Sequence, residues 1–300
     1  MNLTKQTIDH IDLRNKRVII RVDFNVPLDD ASQITDDSRI RAALPTINHA
    51  VDEGARVILC SHLGRPNGQV SLKYSLAPVA KRLQRLLGKP VVFAHDCIGD
   101  EVQSLVGNMK PGDVLLLENL RFHAEEEQND EKFAEQLASL AEVYINEAFG
   151  TAHRSHASTV GITKFMKVAA AGYLMKREVE ALEGVVDNPV RPFVAILGGA
   201  KVSGKIGVIE NLGKRVDKVI IGGGMAFTFI KAMGHEIGRS LVEPDMLDFA
   251  KGIQEHAMSR GVKFYLPVDC VVAASMEPSA ETKIVTIQEI PEGWYGMDIG

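Results

Sequence analysis

Arg17–Arg21, RVIIR, runs directly into VDFNVP at 22–27, and the fold turns on this stretch. Three β-branched residues in a row leave no polar face, which is the mark of a strand in a parallel sheet covered by helices on both sides. Runs of the same kind recur at 55–60 (ARVILC), 90–94 (PVVFA), 113–117 (DVLLL), 142–145 (EVYI), 193–197 (FVAIL), 218–221 (KVII) and 262–266 (VKFYL). Between them, residues 38–53, 76–87, 131–140, 205–212 and 244–260 carry apolar residues at helical spacing. Strand and helix alternate, so the sequence predicts right-handed βαβ units in an α/β fold of doubly wound, Rossmann-like parallel sheets. Ligands of such sheets bind beyond the carboxyl ends of the strands.

With 300 residues, 45% of them hydrophobic and 24% charged, the chain is long enough for two cores. A charged amphipathic segment at 172–188, closing on Asn-Pro, predicts a connecting helix. The expected domains are 1–171 and 189–300, joined by a hinge at 172–188. A formal net charge of −5 argues against binding nucleic acid by bulk electrostatics. No stretch approaches the roughly eighteen apolar residues of a membrane span. Cys60, Cys97 and Cys270 lie far apart without a CxxC pair or a neighbouring His at ligand spacing, so no disulfide framework and no protein-held metal is expected. A cytoplasmic location follows.

The residues just after the first-half strands are polar and mostly basic. Asp23 and Asn25 follow the first strand at a spacing that puts both on one face. SHLGRP, with His62 and Arg65, follows the second; ENLRFH, with Arg121, the fourth; NEAFGTAHRSHAS, with Arg154, the fifth. Arg39 opens the first helix. In a doubly wound sheet these tips converge, and Arg39, His62, Arg65, Arg121 and Arg154 would form a crescent for a small polyanion. Guanidinium groups fork onto phosphate and carboxylate oxygens, whereas Asp23 can only accept, for example from a substrate hydroxyl. Each arginine alone reads equally well as a solvated charge, and Asp23 as a turn carboxylate; it is their convergence that points to a ligand.

Glycines replace arginines in the second half. GGAKVSGK at 198–205 and GGG at 222–224 each join a strand to a helical segment, the pattern of a nucleotide site in which backbone approaches phosphate closely. Residues 199–205 match the GxxxxGK part of a Walker A loop, but Ile206 stands where Ser or Thr would hold magnesium, which excludes a P-loop.

RVDFNVP, SRIRAALPTI, SHLGRP, LLLENLRF, EAFGTAHRSHAST, RPFVAILGGAKVSGKIGVI and IIGGGMAFTF together resemble the phosphoglycerate kinase family, in its order and along the whole chain. The resemblance implies a glycolytic enzyme that moves a phosphoryl group between 1,3-bisphosphoglycerate and ADP, giving 3-phosphoglycerate and ATP. It implies a monomer whose first lobe binds phosphoglycerate, whose second binds ADP or ATP with Mg2+ carried on the phosphates, and which closes by hinge bending. By the same likeness Asp23, Asn25, Arg39, His62, Arg65, Arg121 and Arg154 hold the glycerate, with Arg39 also facing the transferred group. Lys201 and Lys205 hold nucleotide phosphates, Lys205 nearest the group in flight; Gly222, Gly223 and Gly224 lie along the nucleotide, and Gly300 matches a glycine near the adenine. Arg39 and Lys205 are thus the expected catalytic residues.

Two positions depart from the family, Glu147 for Asp and Gly204 for a charged residue, and tuning is expected from both. Family members also continue into a GGGD[ST] segment that this sequence does not contain, so the expected second domain is C-terminally truncated. That leaves an alternative open, a chain that binds phosphoglycerate without turning over. A dinucleotide-dependent dehydrogenase, which the fold alone would allow, requires GxGxxG after the first strand, and VDFN stands there instead.

Overall fold

The computed structural model describes residues 6–187 and 189–300, so residue 188 of the expected hinge and residues 1–5 lie outside the described residues. The chain divides into two compact units, Met1–Leu182 and Glu183–Gly300.

The first unit is built on six parallel strands: β1 (Arg17–Arg21), β2 (Arg56–Cys60), β3 (Val91–Phe93), β4 (Val114–Leu116), β5 (Val143–Asn146) and β6 (Ala169–Ala171), in the order β3-β4-β2-β1-β5-β6. Their apolar runs divide by parity between two cores. Val18, Ile20, Val57, Leu59, Val114 and Leu116 enter one; Ile19, Ile58, Cys60, Leu115 and Tyr144 enter the other. Helices α1 (Ser38–Asp52) and α2 (Ala77–Leu87) cover the first face through Ile40, Ile47, Val79 and Leu83. Helices α3 (Asp100–Gly107) and α5 (Glu131–Ser139), the latter following the short α4 (Ala124–Gln128), cover the second through Val102, Phe133 and Leu137. Local signals set their ends. Pro78 stands in the first turn of α2 and Gly88 closes it at φ 65°, while the Asp130 carboxylate accepts from Phe133 N at 2.9 Å to start α5.

Helix α6 (Tyr173–Asp187) spans the segment expected to connect the domains, and the division between the units falls within it. The second unit contains α7 (Ile206–Leu212), α8 (Ala226–Ala232), α9 (Leu247–Ser259) and a parallel sheet of β7 (Val194–Leu197), β8 (Lys218–Ile221) and β9 (Lys263–Tyr265), in that order. Val219, Ile221, Phe229 and Ala250 gather in its core, while Ile196 and its register partner Ile220 are exposed. A second sheet was not anticipated. Strands β10 (Asp269–Ala273), β11 (Thr282–Thr286) and β12 (Tyr295–Ile299) pair antiparallel in the order β11-β10-β12, and Cys270 and Val272 tie them into the same core.

Candidate active site

Strands β1 and β5 are neighbours, yet the chain leaves β1 toward β2 on one side and β5 toward β6 on the other. Their carboxyl ends therefore border the crevice where open α/β sheets bind ligands. A cavity of about 430 Å3 lies there, lined among others by Asp23, Ser38, Arg39, Phe149 and Gly150. Arg39 sits in the first turn of α1, where a helical side chain leans back toward the N-terminus, and its Nη1 donates to Asp23 Oδ2. Asp23 Oδ1 accepts from Asn25 N at 3.3 Å, and Asn25 Oδ1 accepts from Gly64 N at 2.8 Å. The Gly64 carbonyl accepts from Arg121 Nη1 at 2.8 Å. One chain of polar contacts thus runs from Arg39 to Arg121 through three loops. Glu127 Oε1 is 3.2 Å from Arg121 Nε but outside hydrogen-bond geometry, so that contact is an ion pair only.

His62 is buried at 4% exposure. Burial, and then the charges of Arg21, Arg121, Arg154 and His156, push it down to about 2, so the ring is neutral at physiological pH. The same influence places Arg121 and Arg154 within electrostatic reach of the ring. Arg154 is half-buried, with Nε 3.3 Å from His153 Nε2. Arg65 is exposed and makes no hydrogen bond or ion pair with the described residues. Two further residues belong to this neighbourhood: Arg21, which escaped sequence reading, and Glu147, marked there only as a departure from the family. Arg21 is 1% exposed and reaches His62, and Glu147 is fully buried. Burial pushes the Glu147 carboxyl up, although it accepts from Thr46 Oγ1 at 2.5 Å and from Leu174 N and Met175 N at the start of α6. The longer Glu side chain, where the family has Asp, makes this link from β5 to α1 and α6.

In the second unit the two glycine turns are joined backbone to backbone. Gly222 N donates to Leu197 O at 2.8 Å, and Met225 N to Gly199 O at 2.7 Å. Lys205 is half-buried and crosses Gly199, where an added Cβ would meet Lys205 Cε at 3.0 Å; Lys201 is exposed. Ile299, next to Gly300, lies 3.9 Å from the place of a Cβ on Gly222, so the end of β12 borders these turns. The backbone donors expected to face phosphate are partly engaged. Glu243 accepts from Val202 N at 2.5 Å, Ser203 N at 3.1 Å and Ser203 Oγ at 2.5 Å. The Ser203 hydroxyl holds that carboxyl below its ordinary value.

Asp96, Cys97 and His123 bring a carboxylate, a thiol and an imidazole within 4.8 Å of one another, a grouping hidden by sequence spacing. Burial pushes the Cys97 thiol well up, and Asp96 Oδ1 is already 2.7 Å from His123 Nε2, so the geometry is that of a latch. Burial alone would raise Asp96, but the bonds from His123 and Cys97 N hold it below its ordinary value. The bond to Asp96 raises His123. The pair's contribution is lost as pH falls through the lowered Asp96 value or rises through the raised His123 value. It is fully present between about pH 4 and pH 6.5. Both groups are partly exposed, so His123→Ala should cost more stability at pH 5.5 than at pH 8.5, by under about 1 kcal/mol. Urea unfolding at the two pH values checks this, and an equal loss at both would remove the pair.

A switch-point crevice bordered by Arg39, and a separate pair of glycine turns of which one carries Lys201 and Lys205, are the marks of an α/β protein that handles small phosphorylated molecules. The sequence profile of phosphoglycerate kinase matches residues 8–300. The phosphoglycerate kinase of Geotalea uraniireducens is 60% identical over 294 residues, covering 98% of this chain and 74% of that protein. The cytosolic phosphoglycerate kinase 3 of Arabidopsis thaliana is 58% identical, covering 98% and 73%. The solved phosphoglycerate kinase of Coxiella burnetii matches at a TM-score of 0.84 and 41% identity, over 99% of this chain and 74% of that one. The chain belongs to the phosphoglycerate kinase family. Phosphoglycerate kinase function, reversible phosphoryl transfer between 1,3-bisphosphoglycerate and ADP, comes with that family, which implies phosphoglycerate and nucleotide as substrates. Among the described residues no helix is long and apolar enough to cross a membrane.

Proposed function

We propose that the β1/β5 crevice of the first unit, within residues 1–171, is the phosphoglycerate site and that the glycine turns within 189–300 hold the nucleotide. The observation that carries this is the polar chain from Arg39 through Asp23, Asn25 and Gly64 to Arg121, set beside a neutral His62. Arg39, Arg65, Arg121 and Arg154 supply guanidinium forks for phosphate and carboxylate, and Asp23 accepts from the substrate hydroxyl. Lys201 and Lys205 bind the nucleotide phosphates beside Gly222, Gly223 and Gly224, with Gly300 bordering the base.

Phosphoryl transfer to or from a carboxylate needs no general base, because the carboxylate is already ionised at pH 7. What remains is alignment and charge, and Arg39 and Lys205 offset the negative charge that spreads over the equatorial oxygens as the group moves directly between its two oxygens. Glu243, a carboxylate within electrostatic reach of Lys201, is engaged with three donors, which fits a Mg2+ ion held by the nucleotide's own phosphates. Bound there, the ion would neutralise phosphate charge. The likeness to a cytosolic relative supports a location in the cytoplasm, and the resemblance of the motifs to the family implies a monomer.

Arg154→Ala is the cleanest test, since Arg154 makes only one side-chain bond with the described residues. Calorimetry should show 3-phosphoglycerate binding weakened about tenfold or more, with ADP binding unchanged. Unchanged phosphoglycerate affinity would break up the crescent. A coupled ATP assay on the parent chain should show turnover; binding of both substrates without it would favour the binding-only alternative.

A further inference from the structure

The proton on His62 is placed by a line of buried residues. Its Nδ1 lies 3.2 Å from Arg21 Nη2. A guanidinium only donates, so Nδ1 is the accepting nitrogen and the ring proton sits on Nε2. That Nε2–H makes no hydrogen bond with the described residues. Arg21 is itself fixed, through Nη1 to the Val22 carbonyl and Nε to Ser158 Oγ at 2.8 Å. Ser158 Oγ is also 2.6 Å from Glu126 Oε1, while Ser158 N donates to Glu126 Oε2 at 2.9 Å. A carboxylate only accepts, so the hydroxyl proton points to Glu126 and the hydroxyl oxygen is left to accept from Arg21. Glu126 and Ser158 are both at 0% exposure. The direction of every hydrogen in this buried line is therefore set by its two ends, a carboxylate and a guanidinium that cannot reverse roles.

We propose that Glu126, Ser158 and Arg21 are positioning residues that lock His62 in the Nε2–H tautomer, so that it meets phosphoglycerate as a neutral hydrogen-bond donor. The proposal rests on reading the crescent as the phosphoglycerate site. It gives a buried arginine and a buried glutamate one shared purpose, because their charges offset each other across a single hydroxyl and Nη2 of the guanidinium reaches the ring. The groups facing His62 are cationic or neutral, Arg21, Arg121, Arg154 and His156, and their charges together with burial disfavour an imidazolium there. On the carboxylate side the titratable neighbours are His156, whose Nδ1 is 3.8 Å from Glu126 Oε1, and the buried Cys60, Cys97 and Tyr144.

Nitrogen NMR of the full chain labelled at histidine tests the lock in the parent protein, independent of any variant. His62 should show an unprotonated Nδ1 and a protonated Nε2 from pH 6 to pH 8, with Nε2 shifting on addition of 3-phosphoglycerate. An Nδ1–H ring or an imidazolium at pH 6 would overturn the lock whatever binds. An Nε2–H ring that 3-phosphoglycerate leaves untouched would overturn the site reading instead. Ser158→Ala should then give a mixed His62 tautomer and weaken 3-phosphoglycerate about tenfold with ADP affinity unchanged, and Ser158→Thr should restore both. Arg21→Lys, which keeps the charge and loses the fork, should give the same mixed spectrum. A Ser158→Ala protein with the parental tautomer and affinity would remove Ser158 and Glu126 from the mechanism.

Discussion

Replacing Arg39 by Ala should lower kcat about 10^3-fold while the nucleotide Kd stays within about threefold of the parent. The expectation separates chemistry from stability. Arg39 is 50% exposed and its partner Asp23 is near the surface of the crevice, so their ion pair contributes no more than about 1 kcal/mol to folding. Thermal unfolding should barely move, and lost turnover cannot be blamed on lost fold. A guanidinium in the transfer path, by contrast, acts where negative charge grows, and interactions made only in the transition state show up in kcat and kcat/KM together. Arg39→Lys should fall between the two, because an ammonium keeps the charge without the fork that can hold Asp23 and a phosphoryl oxygen at once. A coupled assay with calorimetry for ADP reads both quantities; a kcat within about threefold of the parent would take Arg39 out of the reaction.

The parts of the fold legible in the sequence are those where side-chain chemistry forces the backbone. RVIIR and RVILC can only be strands buried on both faces, and the structure sorts their residues by parity into two cores. β6 is AAA, which has no strand preference and is held by pairing with β5 and by the bridge from Thr7 to Ala171. β10, β11 and β12 were hidden for a different reason. β11 is largely exposed, β12 half so, and no helix separates them, so the run-and-helix pattern that exposed the parallel strands is absent.

The site divides along the same line. Residues on loops after strands could be named because the sheet topology fixes where those loops end. Arg21 could not, since it terminates an apolar run and reads as the strand's last exposed residue. Yet an arginine ending a buried strand must find acceptors or suffer the full penalty of desolvation, and that is the signal that could have led to Ser158. Glu243 carried no signal at all: it stands forty residues from Ser203, and only the fold brings its carboxylate onto the turn.

Gly223 is where the proposed nucleotide site is most exposed to a single methyl group. Its φ is +65°, and a Cβ there would lie 3.0 Å from Gly199 N and 3.3 Å from Gly199 O. Those neighbours are backbone atoms of the facing turn, already tied down through Met225 N to Gly199 O, so they cannot swing aside as a flexible side chain would. Gly223→Ala should cost about 1–3 kcal/mol of stability for the left-handed conformation and the close contact. It should also weaken ADP about 10^2-fold, because parting the two turns misplaces every phosphate contact they share. Gly223→Val, with a branch at Cβ, should be worse on both counts. Gly204→Ala is the matched control in the same loop system: its added Cβ meets nothing within 4 Å, and ADP affinity should stay parental. Calorimetry with ADP and thermal unfolding on the three variants decide the matter. If Gly223→Ala and Gly204→Ala bound ADP alike, the contact between the turns would have no part in holding the nucleotide.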